Sequence, residues 1–530
     1  MSEQSAPEVG EEIVSALIAA GIAGLVLSPG FRSAPLSVSA ARHAAAGDLE
    51  LLVRVDERSA AFTALGWAKA TGLPTAVMCT SGTATANFLP AIVEARYSGA
   101  PLVVVTADRP PQVRGSGASQ TIDQVGMFDQ FVLGSTDLVA TSPAGAAAAA
   151  VHASVALADR ARGPVQLNVP FTPPLVADAP VAAPAPELVA APDPTPAGEA
   201  AVADLGELPA RGVMVVGDLD LPDSQTRERI AATAAEWGWP ILAEPTAGLT
   251  DASTAIPGAA GFLTDSAVRA ELRADLVVTV GPFGLSRGVL ELVREAERHV
   301  AVRLRPRTDP PDPLRTAEQV LPTLPTGTVS PDPSWLAQWR TAAQQSRQRG
   351  EPLANMMAVA EEIWAVLSPA DLLVVAPSLP IRAFDQCSGP GPAVLSNRGA
   401  NGIDGVVSTA WGAAHGWHSG RTVALLGDLA LLHDQNGLLV PSTESEPNLT
   451  LVVADNNGGG IFSQVEANSP ANQDVFERVF GTPHDRDLVD VLAAAGVSAQ
   501  RLGSPTDVGA ALSASQRDSG IRAFVVSVDR

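Results

Sequence analysis

Short apolar runs alternate with helical patterns along most of this sequence. The first 170 residues contain five such runs, and amphipathic or alanine-rich segments lie between the first four. A continuous apolar run is typical of a strand that is buried on both faces. The alternation therefore predicts a parallel β-sheet with helices on both sides. The five runs span residues 23–29, 49–56, 74–81, 101–108 and 163–170.

Two further units repeat this pattern. Their apolar runs lie at 211–218, 275–281 and 299–306, and then at 371–378, 392–399, 421–428, 449–456 and 521–529. A stretch rich in proline and alanine follows the first unit, and proline disfavours both helix interiors and central strands. We predict an α/β protein with three doubly wound parallel-sheet domains. The predicted domains are 1–180, 201–345 and 346–530, with an extended linker at 181–200.

The chain is acidic, with 34 Lys+Arg against 57 Asp+Glu and a net charge of −23. Proteins that bind nucleic acid hold phosphates with clustered basic residues, and this sequence has no such cluster. We therefore predict no nucleic-acid partner. Lys69 is the single lysine, so every other basic residue is arginine, the side chain best suited to bidentate contacts with carboxylates.

The sequence also favours a cytoplasmic protein. Its first residues are polar and acidic, unlike a signal peptide, and no apolar stretch is long enough to predict a membrane span. The two cysteines, Cys79 and Cys387, form neither a disulfide framework nor a metal-binding motif, as expected for a reducing compartment.

Polar residues follow two neighbouring apolar runs of the third unit. Asp428 comes directly after one predicted strand and Asn456 after the next, and the glycines of 458–460 come soon afterwards. The carboxyl ends of parallel strands form the ligand crevice of an open sheet. A carboxylate, an amide oxygen and the Gly458 carbonyl are ligands that suit Mg²⁺ on a diphosphate. A Gly-Asp pair is also typical of a turn with a helix N-cap, but the glycine triplet favours the metal site.

These motifs resemble those of the thiamine-diphosphate (ThDP)-dependent enzymes. The Gly-Asp and Asn pair is similar to their metal fingerprint, although Gly-Asp-Leu replaces the usual Gly-Asp-Gly and Asp455 replaces an asparagine. Four motifs together resemble one branch, the 2-succinyl-5-enolpyruvyl-6-hydroxy-3-cyclohexene-1-carboxylate synthases of menaquinone biosynthesis. They are Gly-Asp-Leu-Ala-Leu, Asn-Asn-Gly-Gly-Gly-Ile-Phe, Ser-Asn-Arg-Gly and Gly-Ile-Asp-Gly. The resemblance implies a transferase with three ThDP-type domains.

The resemblance also implies a catalytic acid and a set of cofactor contacts. Glu57 stands at a strand-to-helix junction, where the family's catalytic glutamate lies, and apolar residues 60–62 follow it. An acidic residue in a first helical turn, after the capping residue Asp56, is equally typical of an ordinary helix start. The implied ligands of Mg²⁺ or Mn²⁺ are Asp428, Asn456 and Gly458. The other implied cofactor contacts are Gln120, Gly427, Leu429, Ala430, Ile461 and Phe462.

The substrates implied by the resemblance are 2-oxoglutarate and isochorismate, which carry two carboxylates each. The implied reaction is the decarboxylation of 2-oxoglutarate and conjugate addition of the succinyl carbanion to isochorismate, in a homodimer or a dimer of dimers. At Arg287 the family often has a Lys-Arg pair, whereas this chain has Ser286 and Arg287. The implied substrate contacts are Ser28, Arg32, Ser33, Arg109, Gln120, Arg287, Ser378, Arg382 and Arg398.

Three other functions compete with this one. A ThDP enzyme similar to acetohydroxyacid synthase would act on pyruvate, but loops rich in arginine favour dicarboxylates. A nicotinamide-dinucleotide oxidoreductase would need Gly-x-Gly-x-x-Gly after a strand, and neither 215–220 nor 279–284 has it. A non-catalytic regulator with a ThDP fold is disfavoured because Glu57, Asp428 and Asn456 are all present.

Overall fold

Every apolar run of the sequence contains a strand in the computed structural model, which describes residues 4–138, 144–181, 202–219, 221, 223–305, 311–349, 354–515 and 520–530. Apart from Val181, the predicted linker lies outside these residues. The strands are β1 Leu25–Leu27, β2 Leu51–Val53, β3 Thr75–Cys79, β4 Leu102–Asp108, β5 Ser135–Asp137, β6 Val165–Pro170, β7 Asp204–Leu208, β8 Gly212–Val216, β9 Ile241–Ala243, β10 Leu276–Val280, β11 Arg298–Val302, β12 Gln319–Leu321, β13 Thr326–Val329, β14 Leu372–Val375, β15 Ala393–Leu395, β16 Thr422–Gly427, β17 Leu449–Asp455, β18 Ser498–Leu502 and β19 Ile521–Ser527.

Helices connect most of these strands. Within the described part of the chain, none of them combines the length and the apolarity that crossing a lipid bilayer requires. The helices are α1 Ala6–Ala19, α2 Ala34–Ala46, α3 Glu57–Thr71, α4 Thr83–Ala86, α5 Leu89–Ser98, α6 Ala146–Ala161, α7 Ser224–Trp237, α8 Ala259–Phe262, α9 Ser266–Glu271, α10 Arg287–Glu295, α11 Pro333–Arg349, α12 Ala354–Val366, α13 Leu379–Ala383, α14 Val406–Gly416, α15 Asp428–His433, α16 Gln473–Phe476, α17 Leu488–Ala494 and α18 Val508–Ala514.

The strands form three parallel sheets with the same winding, which confirms the predicted fold class. The first sheet has the order β2-β1-β3-β4-β6-β5 and the last has β15-β14-β16-β17-β19-β18. The five-stranded middle sheet has the order β12-β11-β10-β8-β9, and β7 pairs with β13 beside it. Each strand order reverses between the first and third strands of its sheet, so the loops after those strands border the ligand crevice typical of doubly wound folds.

The chain divides into two compact units. The first unit comprises Met1–Thr195, Asn397–His418 and Ala430–Leu449, and it contains the first sheet. The second unit comprises Pro196–Ser396, Ser419–Leu429 and Thr450–Arg530, and it contains the other sheets. The domain boundaries at 1–180, 201–345 and 346–530 stay predictions.

Within the first unit, α3 packs directly against α14. A Cβ atom on Gly66 would lie 2.0 Å from the Thr409 carbonyl oxygen, and one on Gly412 would lie 1.8 Å from the Thr63 carbonyl oxygen. Such distances leave no room for a side chain, so glycine is required at both positions. This close packing fixes the helix that begins at Glu57.

A buried charged cluster joins α1 to α2 in the same unit. His43 Nε2 lies 2.8 Å from Glu11 Oε1, and His43 Nδ1 lies 3.1 Å from Asp48 Oδ2. Burial lowers the pKa of His43, but the hydrogen bonds to both carboxylates outweigh it and raise the pKa above its usual value. Burial likewise raises the pKa of Glu11, and hydrogen bonds from His43, Ser39 and Ser15 outweigh it and lower the pKa. Both pKa shifts therefore favour the charged form of each residue in the folded state.

We expect His43→Gln to destabilise the protein most between about pH 4.5 and 6.5. A raised folded pKa of His43 stabilises the fold below the unfolded pKa, and this contribution disappears as pH rises through the folded value. The lowered pKa of Glu11 stabilises the fold above its unfolded value and is lost in acid. The expected loss is about 1 to 3 kcal/mol near pH 6.

Thermal and urea unfolding at pH 6 and pH 8.5 would measure this difference. His152→Gln is a matched control, because His152 in α6 makes no ion pair with any described residue. An equal loss at both pH values would show that His43 contributes through packing rather than charge.

Candidate active site

Glu57 is the first residue of α3, directly after the loop that follows β2. The Asp56 carboxylate caps this helix by accepting a hydrogen bond from the Ser59 amide at 3.1 Å. Glu57 is half-buried, and its carboxylate forms no hydrogen bond or ion pair with any described residue. Its negative charge adds to burial in raising the pKa of the Cys79 thiol at the end of β3. Glu57 therefore lies near the end of β3, and the loop that follows this strand borders the crevice.

The apolar residues that follow Glu57 in α3 are buried. Ala60 and Ala61 are fully buried, and Phe62 is 2% exposed. A Cβ on Gly405, in the Gly-Ile-Asp-Gly motif, would lie 2.0 Å from the Phe62 ring, so this motif packs on the first turns of α3. The first turns of α3 are therefore held by apolar packing, which fixes the position of Glu57.

Ser28, Arg32 and Ser33 lie in the loop between β1 and α2 and are all buried. Arg32 donates a hydrogen bond from Nη1 to the Phe171 carbonyl at 2.8 Å. The Arg32 Nε and the Ser28 hydroxyl are buried and have no hydrogen-bond partner among the described residues. Buried polar groups are normally satisfied, so these two atoms fit a site that receives an acidic ligand.

Gln120 is held against the loop that follows β3. Its side-chain amide donates to the Ser81 carbonyl at 2.9 Å, and the Ser81 hydroxyl donates back to the Gln120 carbonyl at 3.0 Å. Gly82 has a φ of +90°, and a Cβ there would lie 2.9 Å from Gln120 Cγ. Ser81 and Gly82 were not predicted from the sequence, although they closely follow β3, where the strand order of the sheet reverses.

Arg109 and Arg398 lie in loops of the same unit. Arg109 donates from Nη2 to the Ser119 carbonyl at 3.0 Å, while its buried Nε has no partner among the described residues. Arg398 is half-buried and forms a hydrogen bond with Asn401. The first unit therefore contains Glu57, Gln120 and the arginines 32, 109 and 398.

Asp428 is the centre of the predicted cation site in the second unit. It follows β16 and is only 2% exposed. Its Oδ2 accepts hydrogen bonds from the amides of Gly458 at 2.8 Å and Asn456 at 3.2 Å, while Oδ1 accepts one from Leu429 at 2.6 Å. Burial raises the pKa of Asp428 despite these hydrogen bonds. A buried carboxylate of this kind attracts a cation.

The neighbouring loop offers further oxygen ligands. Asn456 Oδ1 is buried and has no hydrogen-bond partner among the described residues. The Gly458 carbonyl accepts one hydrogen bond from the Gly460 amide at 3.0 Å, which leaves its second lone pair free. Gly458 has a φ of +137°, and a Cβ there would lie 2.0 Å from the Gly481 carbonyl oxygen. These residues fit a hard divalent cation such as Mg²⁺.

Two further side chains, His484 and Asp455, lie beside Asp428. Neither was predicted from the sequence as part of this site. His484 Nε2 is 3.3 Å from Asp428 Oδ2 and 3.7 Å from Asp455 Oδ1. The three side chains place one ligand atom each within 4.8 Å of one another. His484 lies 56 residues after Asp428 in a loop without a periodic pattern, so no sign of this contact is present in the sequence. Asp455 could have been predicted, because it directly precedes Asn456 at the end of β17.

The remaining residues implied as cofactor contacts lie at the end of β16 and in the segments that follow β16 and β17. A Cβ on Gly427 would meet no atom within 4 Å, so space is open beside this residue. Leu429 is half-buried and Ala430 is buried in the first turn of α15. Ile461 packs on the apolar core, whereas Phe462 is 39% exposed with its ring centroid 5.6 Å from that of Phe480.

Ser378, Arg382 and Arg287 lie elsewhere in the second unit. Ser378 precedes α13 with a φ of +81°, an unusual conformation for a residue other than glycine. Arg382 donates to the Leu285 carbonyl and so contacts the loop that leads to α10. Arg287 is exposed at the first position of α10. The structure therefore places Arg382 close to the segment that carries Arg287.

Comparison with known proteins indicates the family of this chain. Residues 7–127 match the family described as "Thiamine pyrophosphate enzyme, N-terminal TPP binding domain"; thiamine pyrophosphate is another name for ThDP. The match covers the loops of Ser28, Glu57 and Gln120. It supports a ThDP enzyme over a dinucleotide oxidoreductase.

Full-length relatives identify the branch. The chain is 40% identical to a 2-succinyl-5-enolpyruvyl-6-hydroxy-3-cyclohexene-1-carboxylate synthase of Thermobifida fusca, over 98% of this chain and 95% of the relative. Synthases with the same name from Saccharopolyspora erythraea and Kineococcus radiotolerans are 37% and 39% identical, each over 98% of this chain and 95% of the relative. The chain is therefore an enzyme that belongs to the ThDP-dependent 2-succinyl-5-enolpyruvyl-6-hydroxy-3-cyclohexene-1-carboxylate synthase family.

Proposed function

We propose that this enzyme decarboxylates 2-oxoglutarate and adds the remaining succinyl group to isochorismate, in menaquinone biosynthesis. One C–C bond breaks with release of CO₂, and one C–C bond forms to the isochorismate ring. The observation that carries the proposal is the similarity to synthases of this name over 98% of the chain. The buried acidic site at Asp428 and the accessible carboxylate of Glu57 support it.

Two groups of residues would hold the cofactor. Asp428, Asn456 and the Gly458 carbonyl would bind Mg²⁺ or Mn²⁺, which in turn would hold the diphosphate. Glu57 would share a proton with N1′ of the aminopyrimidine ring. Bound ThDP supplies the nucleophilic carbon and the electron sink for the loss of CO₂. The other proposed contacts are Gln120, Gly427, Leu429, Ala430, Ile461 and Phe462.

Polar residues at the strand ends would bind and orient the two dicarboxylate substrates. The buried Nε atoms of Arg32 and Arg109 lack partners among the described residues, so each can donate to a carboxylate at little cost in existing hydrogen bonds. This orientation lowers the entropic cost of bringing the two reactants together. The full proposed set is Ser28, Arg32, Ser33, Arg109, Gln120, Arg287, Ser378, Arg382 and Arg398.

The assembly and location of the enzyme are part of the same proposal. The family resemblance implies that the Glu57 and the Asp428 of one active site come from different subunits. We therefore propose a homodimer or a dimer of dimers in the cytoplasm. Analytical ultracentrifugation tests the assembly, and a catalytically active monomer would contradict it.

We expect the purified enzyme to consume isochorismate only when ThDP, a divalent cation and 2-oxoglutarate are all present. The loss of isochorismate absorbance measures the reaction, and mass spectrometry identifies the product. Activity with pyruvate but not 2-oxoglutarate would favour the acetohydroxyacid-synthase-like alternative. If ThDP with Mg²⁺ failed to raise the melting temperature, the non-catalytic regulator would be favoured instead.

A further inference from the structure

A buried carboxylate holds the loop that carries Arg398. Glu94, in α5, is 2% exposed and lies 305 residues before this loop. Its Oε1 accepts a hydrogen bond from the Gly399 amide at 2.9 Å, and its Oε2 accepts one from the Ala400 amide at 2.6 Å. One side chain therefore fixes the two peptide groups that directly follow Arg398.

The loop backbone also lies in direct contact with the end of α5. A Cβ on Gly399 would lie 2.6 Å from the Ser98 amide nitrogen and 2.7 Å from the Glu94 carbonyl oxygen. Glycine is therefore required at position 399, and the loop has little freedom to shift along the helix. On the other side, Arg398 forms a hydrogen bond with Asn401, which has a φ of +60°.

Lys69 supplies the charge that balances Glu94. Its Nζ lies 3.6 Å from Glu94 Oε1, and the two side chains are 12% and 3% exposed. A buried carboxylate without a counter-charge is costly, so the ion pair lets Glu94 remain ionised and accept both amides. Lys69 lies in the last turn of α3, the helix that begins at Glu57. The pair thus connects the Glu57 helix to the Arg398 loop.

The amino-acid composition singles out the same position. Lys69 is the single lysine in a chain that uses arginine at every other basic position. Both Glu94 oxygens already accept backbone amides, so the planar guanidinium fork of arginine would compete for the same two oxygens. An ammonium group is a compact point charge and balances Glu94 without displacing the loop. The local geometry therefore favours lysine over arginine at position 69.

We propose that Lys69 and Glu94 are positioning residues that aim Arg398 at a substrate carboxylate. The ion pair fixes the peptide groups of 399 and 400, and these set the direction in which the Arg398 side chain leaves the backbone. The proposal rests on the proposed role of Arg398 in binding a substrate. It adds a buried ion pair that acts on substrate binding through Arg398 and does not itself contact substrate.

Glu94→Gln tests this role because it keeps the shape of the side chain and leaves one acceptor oxygen for two amides. We expect it to raise the KM of the substrate that Arg398 binds by about ten- to a hundredfold. The kcat should change much less, and the dissociation constant of ThDP, measured by tryptophan fluorescence, should stay unchanged. Arg294→Met is the control, because it breaks an exposed ion pair with Glu291.

A double-mutant cycle separates positioning from general stability. Arg398→Ala should raise the same KM, and adding Glu94→Gln to it should cause no further increase. Lys69→Met should lower the melting temperature, because it leaves a buried charge unpaired. The Lys69→Met/Glu94→Gln variant should recover the melting temperature but keep the high KM, which keeps the test valid if Lys69→Met alone fails to fold.

Two outcomes would overturn the proposal. A normal KM in Glu94→Gln, or additive effects of Glu94→Gln and Arg398→Ala, would show that the ion pair does not act through Arg398. If Arg398→Ala left both KM values unchanged, the substrate-binding role of Arg398 would fail, and the positioning role would fail with it. Turnover with 2-oxoglutarate and isochorismate in the unaltered enzyme would still support the proposed function in that case.

Discussion

Glu57→Gln is expected to lower kcat by about 10²- to 10⁴-fold, the usual contribution of a general acid or base. Glutamine has almost the same shape, and Asp56 still caps α3 through the Ser59 amide. The substitution therefore removes an ionisable group without removing an element of the fold. Because the Glu57 carboxylate has no protein partner among the described residues, no other hydrogen bond is broken.

Glu57→Gln should lower kcat without a comparable loss of ThDP affinity. Calorimetry should give a ThDP affinity within a few-fold of the unaltered enzyme, since the diphosphate contacts at Asp428 remain. Glu228→Gln is a matched control, because Glu228 in α7 is exposed and its side chain forms no hydrogen bond or ion pair with any described residue. A near-normal rate in Glu57→Gln would remove Glu57 from its proposed role.

Most of the strands that were predictable from the sequence are buried at nearly every position, although β2 and β15 lie at sheet edges. β3 and β4 are buried at every position, and their continuous apolar runs predict this burial. The missed strands lie at sheet edges or in the two-stranded sheet. β5 and β13 alternate exposed with half-buried positions and consist mostly of small or polar residues. Their pairing depends on neighbouring strands, so no local hydrophobic pattern reveals them.

The site residues that could be predicted from the sequence are polar residues that directly follow a strand. Asp428 and Asn456 each follow a buried strand, so the strand pattern places both at one edge of the sheet. His484 and Glu94 were missed for a different reason. His484 lies in a loop 56 residues after Asp428, and Glu94 lies in α5, 305 residues before Gly399, so no local pattern links either residue to its partner. Such contacts arise only when the chain has folded.

Asp428→Asn is expected to weaken binding of ThDP with Mg²⁺ by more than about 100-fold, since even residues that only support a metal ligand contribute about 10- to 100-fold. Asparagine keeps the shape but removes the only charge among Asp428, Asn456 and the Gly458 carbonyl. The cofactor-free protein should stay folded, with a melting temperature lowered only modestly by the loss of one acceptor oxygen for the backbone amides. The increase in melting temperature caused by ThDP and Mg²⁺ should then disappear.

Asp428 belongs to two candidate sets of metal ligands, and substitutions of the other ligands distinguish these sets. If the metal ligands are Asp428, Asn456 and the Gly458 carbonyl, Asn456→Ala should weaken Mg²⁺ binding strongly, and Asp455→Asn should have a much smaller effect. His484→Ala should leave Mg²⁺ binding intact, because Mg²⁺ prefers oxygen ligands over imidazole nitrogen. Equal losses in Asp455→Asn and His484→Ala, with normal binding in Asn456→Ala, would instead assign the metal to the Asp428, Asp455 and His484 group. Calorimetric titration of each variant with Mg²⁺ at a fixed ThDP concentration distinguishes the two.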